Sequence, residues 1–117
     1  MNILKTKSLL FGTSIISYCK ELKEMEHDII SDLLFESGTA VGRKVFVLDS
    51  CFSKKEFIQN LELAKSEASR TLFLLEISED IDELPEKPEL KDAAGEIIKM
   101  LSASIKSAKS KMDQFEN

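Results

Sequence analysis

The chain has 117 residues, 43% of them hydrophobic and 32% charged, which suits one soluble domain and excludes a disordered chain. Sixteen basic and 21 acidic residues give a net charge of −5, which excludes a protein held on nucleic acid by bulk charge alone. Four glycines and two prolines are too few for a turn-rich β-sandwich, and one histidine is too few for most histidine-based metal sites.

The first element is read from Leu4, Ser8, Phe11, Ile15, Tyr18, Leu22 and Met25, whose spacing alternates four and three. That is one stripe of a helix over about residues 3–25. Lys5 and Lys7 before SLLFGTSIISYC resemble the start of a signal peptide, but Tyr18 is too bulky for the position before a cleavage site, and the amphipathic period runs on past it. Asp28 is the expected cap of a second helix, about 29–50, with Ile30, Leu34, Val41, Val45 and Leu48 on its core face. Gly38 and Gly42 lie four apart within it. They fit either a turn or a smooth strip on a helix where another backbone approaches, and residues 44–48 have strand character. Ser53 and Glu56 form a capping box that opens a third helix, about 54–80, with Phe57, Leu61, Ala64, Ala68, Thr71 and Leu75 inward. Pro85 and Pro88 end it in an acidic linker, residues 79–89. A fourth helix, about 89–114, carries Leu90, Ala94, Ile97, Leu101, Ile105, Ala108 and Met112 on one side. The expected fold is all-α: one domain, 1–117, forming an up-down-up-down four-helix bundle.

Phe73 and Ile77 lie nearly opposite the core stripe of the third helix, and Phe35 and Phe46 share a flank of the second. These four are the candidate oligomer interface, because a monomeric bundle leaves few such residues in water. Charge is also uneven. Residues 79–88 hold five acids and one lysine, whereas residues 97–112 hold four lysines and no acid.

The central residues also carry a family resemblance. Leu33-Leu34 through Ser37-Gly38-Thr39-Ala40-Val41-Gly42 resembles the signature of the 23S rRNA intervening-sequence protein family, also called the four-helix-bundle protein family. Ser53-Lys54-Lys55-Glu56-Phe57-Ile58, and Ala64 with Glu67-Ala68 and Thr71, are similar to its next two motifs. Ser104 through Lys109 looks like its final helix, and the opening Lys7-Ser8 with Phe11 and Tyr18 resembles its first. The resemblance implies a left-handed bundle assembling as a ring of five, with no catalytic residues and no cofactor. It also implies kinship with the accessory variability determinant of diversity-generating retroelements, a strongly basic branch that works with nucleic acid. Two family acids are replaced here by Val47 and Arg70, which suggests a surface altered for a different contact.

Three functions follow as expectations. The first is an oligomeric, non-catalytic module that binds RNA or DNA through Arg43, Lys44, Lys54, Lys55, Lys99, Lys106 and Lys109, without base stacking because few aromatics lie beside these cations. The second is an adaptor ring that holds a protein partner by its apolar flank or by Glu79–Glu86. The third, an enzyme, is not expected. Glu24-x-x-His27 is half of a di-metal motif whose other half is absent, and Glu67, the one acid near the core face, reads as a satisfied polar group. Cys19 and Cys51 lack metal-ligand spacing and read as reduced thiols of a cytoplasmic protein. No apolar run reaches membrane-spanning length.

Overall fold

A computed structural model describes residues 2–116, with side chains described for residues 3–113. Four helices follow in order: α1 (Asn2–Glu24), α2 (Asp28–Phe46), α3 (Lys54–Glu79) and α4 (Pro88–Glu116). A short 3-10 helix, Val47–Ser50, continues α2 toward the α2–α3 turn. Each helix packs on the next, and α4 closes back on α1 along a lesser contact, giving a rod of 55 × 22 × 21 Å.

The stripes read from the sequence form the core. Ile15, Leu22, Leu34, Val41, Val45, Leu61, Ala64, Ala68, Ala94 and Leu101 are all closed to water. Phe57, Ile105 and Met112 pack on this core from its margin, and Met25 stands out as exposed. Residues 33–46 are continuous helix, so the two-glycine segment is the smooth strip and not a turn. A Cβ built on Gly38 would lie 2.7 Å from Ile15 Cγ2, inside any tolerable contact, whereas one on Gly42 would meet only the Ser8 carbonyl at 3.7 Å. The Ile15 side chain of α1 therefore seats directly on the bare α2 backbone at Gly38.

Two helix ends differ from expectation. Asp28 does not cap α2; His27 occupies the cap position and its side chain makes no capping bond. The turn is set from the other side, by the end of α1. Glu26 takes φ 64°, its N–H reaches Lys23 O at 3.0 Å, and the N–H of His27 reaches Leu22 O at 2.8 Å. This paired bonding is a Schellman ending built without glycine. The second helix is also shorter than read, since its last turn tightens into the 3-10 segment. The Ser53 cap is present: Ser53 Oγ accepts from Glu56 N at 3.1 Å, and Glu56 Oε2 accepts from Phe52 N at 2.9 Å.

The acidic linker is strapped to the α1–α2 end. Tyr18 donates its hydroxyl to Pro85 O at 3.1 Å, Lys87 pairs with Glu21 at 2.9 Å while lying over the Tyr18 ring, and Leu84 is buried. Among the described residues, no helix is long and apolar enough to cross a membrane.

Candidate interaction surfaces

Antiparallel packing sorts the charges by height along the rod. The contact of Ser8 with Gly42 and the Lys5–Asp49 pair place the start of α1 beside the end of α2. The pair between Lys109 and Glu62 at 3.1 Å places the end of α4 beside the start of α3. Segments 3–12, 40–66 and 102–113 thus build one half of the bundle, and they hold ten of the 16 basic residues against four acids. The opposite half, 13–39 with 67–101, holds sixteen acids against six bases. An acidic protein therefore carries a basic end.

Six of the seven candidate cations lie in the basic half: Arg43, Lys44, Lys54, Lys55, Lys106 and Lys109. Lys99 does not; it sits in the acidic half of α4, between the Lys91–Glu79 and Lys109–Glu62 pairs. Lys109 is engaged with Glu62 and Lys44 is half-buried, while Arg43, Lys54, Lys55 and Lys106 are exposed and form no ion pair among the described residues.

The four candidate interface residues fall on two faces. Phe35 and Phe46 are half exposed and overhang the seam between α1 and α2. Two hollows that share Ile16, of about 480 and 400 Å³, run along this seam. Leu9, Ile16, Phe35 and Phe46 form their rims, and Gly12, Thr13, Thr39 and Gly42 lie between. Ile77 instead lines a third hollow, between α2 and α3, with Ile29 and Leu33; it is half-buried there. Phe73, 62% exposed, points away from the bundle. Sequence reasoning missed Leu9, Ile16, Ile29 and Leu33 because each lies off the stripe that fixes the core of its own helix.

Phe52 was also missed, and it corrects the expectation that aromatics stand apart from the cations. It is 99% exposed in the α2–α3 turn, two residues before Lys54. Helical periodicity has nothing to say about a turn residue; its only sequence signal was an aromatic beside a lysine pair. Phe46 likewise lies under the Lys5 ammonium, 5.8 Å from the ring centre.

Buried polar side chains hold the helices together. The buried hydroxyls of Ser37 and Thr71 share a hydrogen bond of 2.9 Å that joins α2 to α3, and Thr71 also donates to Glu67 O at 2.8 Å. Cys19 and Ser31 bond reciprocally across α1 and α2, thiol to Ser31 O at 3.3 Å and hydroxyl to Cys19 O at 3.0 Å. Burial pushes the Cys19 thiol and the Tyr18 phenol above their ordinary ranges. Cys51, partly exposed, donates to Val47 O, and both cysteines are free thiols. Ser8 Oγ is buried without a partner.

Titratable groups elsewhere form pairs. His27 Nε2 lies 3.1 Å from Glu83 Oε1, and Glu67 Oε1 lies 2.8 Å from Arg70 Nη1, so the arginine neutralises the acid one turn before it. Among the described residues, no three His, Cys, Asp or Glu side chains are grouped to hold a metal ion.

No family model matches the chain, and no curated protein matches it. Among solved structures, it is similar to a protein of unknown function from the S23 ribosomal protein family of Bacteroides thetaiotaomicron VPI-5482. The two are 28% identical over 88% of this chain and 98% of that one, with a TM-score of 0.85. This likeness is consistent with the family resemblance carried by the central signature.

Proposed function

We propose that this chain is a non-catalytic binding module that self-associates through its exposed apolar seams, as a ring of five on the family pattern, and binds nucleic acid with its basic end. The observation that carries it is the α1–α2 seam, where Leu9, Ile16, Phe35 and Phe46 stand 41–59% exposed around two apolar hollows. The accessible surface is 7238 Å². A compact monomer of 13.2 kDa exposes about 6,400 Å². The rod shape accounts for part of the excess. The whole excess is thus no larger than the roughly 800 Å² that one partner contributes to a standard interface, and the exposed side chains of the seams supply apolar area toward it. Because the two apolar faces differ, contact between them is head-to-tail, the geometry that closes into rings.

The nucleic-acid half of the reading is supported by charge placement. A net charge of −5 repels a polyanion at long range, but ions in solution screen it beyond about 10 Å, and within that distance the ligand meets the basic end alone. The engaged state of His27, Glu67 and Cys19 supports a non-catalytic role.

Light scattering on the intact chain at micromolar concentration tests the assembly. A mass of several subunits is expected, falling on Phe35→Glu with Phe46→Glu while helical circular dichroism persists. A single-subunit mass for the unaltered chain overturns it. Absence of any mobility shift with RNA or DNA at low salt overturns the nucleic-acid half.

A further inference from the structure

We propose that the α2–α3 turn is a single-strand-specific nucleic-acid site in which an unpaired base stacks on Phe52 while Lys54 and Lys55 hold the flanking phosphates. This rests on the nucleic-acid half of the reading above and adds to it the form of the ligand and the residue that selects it.

Phe52 is the most exposed large hydrophobic side chain among the described residues, at 99%. Its position is fixed, not incidental. Its own N–H is held by Glu56 Oε2, the next residue caps α3, and Cys51 N–H bonds back to Leu48 O at 3.4 Å. The ring thus stands on a turn whose backbone is bonded on both sides, so the chain that carries it needs little ordering on engaging a ligand. Beside it opens a cleft of about 330 Å³ lined by Phe52, Phe57 and Lys54, at the lower end of the range of small ligand sites. Of the acids at this turn, Glu56 accepts the backbone N–H of Phe52 and Asp49 is paired with Lys5.

The charge argument selects the occupant. Lys54 and Lys55 are exposed and unpaired among the described residues, and they lie in the half of the bundle where bases outnumber acids ten to four. The complement is a polyanion. An aromatic face on a basic rim takes an unstacked base, because every base has a π-face, whereas a duplex hides its faces in the stack. A lone ring on a polar turn lacks the broad apolar face by which a protein settles into a bilayer.

The test uses the intact chain and a labelled 20-nucleotide pyrimidine RNA, single-stranded or in duplex, at low salt, read by fluorescence anisotropy. The single strand is expected to bind more tightly than the duplex. Phe52→Ala weakens single-strand binding about tenfold or more, Phe52→Trp preserves it, and neither changes duplex binding. Lys54→Glu with Lys55→Glu weakens both. If Phe52→Ala is silent while the lysine variant weakens binding, stacking is wrong and the nucleic-acid reading stands. If the unaltered chain binds neither RNA, both are wrong. A change of subunit mass in Phe52→Ala shows that another copy covers the ring, and anionic phospholipid vesicles bound in a Phe52-dependent way show a membrane contact; either overturns the site.

Discussion

Three glycines in similar helices carry different loads. At Gly38 an added methyl group meets Ile15, a stiff β-branched side chain with no exposed surface, so the clash is not relieved by a rotamer change. Gly38→Ala is expected to cost about 1–3 kcal/mol. At Gly12 nothing lies within 4 Å, so Gly12→Ala meets no obstacle and gains about 0.5–1 kcal/mol of helix propensity. Gly42→Ala makes only ordinary contact at 3.7 Å and falls between the two. Urea unfolding of the three variants checks the order, and equal midpoints for Gly38→Ala and Gly12→Ala refute it. Glu26 presents the reverse case, a side chain where the backbone favours glycine, and Glu26→Gly is expected to raise stability by about 0.5–1 kcal/mol. Tyr18 and Cys19 add a pH dependence. Their folded pKa values lie above the unfolded ones, so the folded chain keeps protons that the unfolded chain loses. The stability they contribute is complete below the unfolded values, falls as pH rises from about 9, and is gone above the folded values. Thermal melts from pH 8 to 11 are expected to show a loss of stability that Tyr18→Phe with Cys19→Ala reduces.

The helices themselves were legible because each buries one stripe against the same axis, and a stripe repeats at a period the sequence displays. Not all of their ends were. The α1–α2 turn is set by backbone bonds from Glu26 and His27, and neither residue type announces a left-handed position as glycine does. The α2–α3 turn was legible because its device is a side chain, Ser53, at a recognisable spacing from Glu56. The signature residues could be quoted from the sequence, but their work as cross-links required three dimensions. Thr71 and Ser37 are 34 residues apart, and only the antiparallel packing of α2 on α3 brings their hydroxyls together. Thr71→Val leaves the buried Ser37 hydroxyl without its partner and is expected to cost about 1–3 kcal/mol. Ser37→Ala with Thr71→Val removes both polar groups at once and is expected to cost less than the two single changes summed. Additive costs in a double-mutant cycle refute the cross-link.

At the scale of the whole molecule, the rod separates two kinds of surface that respond to salt in opposite ways. The apolar seams run along its sides, and the cations gather toward one end. Neither arrangement was legible in one dimension. Phe35, Phe46, Phe73 and Ile77 read as one patch until α1 was placed beside the first pair and the hollow of Ile29 and Leu33 beside Ile77. Residues 97–112 read as one basic segment of four lysines until packing left Lys99 in the acidic half. Association driven by burial of apolar surface is insensitive to screening or strengthened by excluded salts, whereas each phosphate contact releases counterions and weakens as salt rises. Two titrations on the same sample separate them. Between 50 and 500 mM sodium chloride, the mass by light scattering is expected to hold while RNA affinity falls steeply, with a log–log slope near the number of phosphates engaged by Lys54, Lys55 and their neighbours. Removing Lys54 and Lys55 lowers that slope by about one unit per lysine and leaves the mass unchanged. If mass and binding fall together, the subunits are held by charge, and the apolar seams of α1 and α2 are not what joins them.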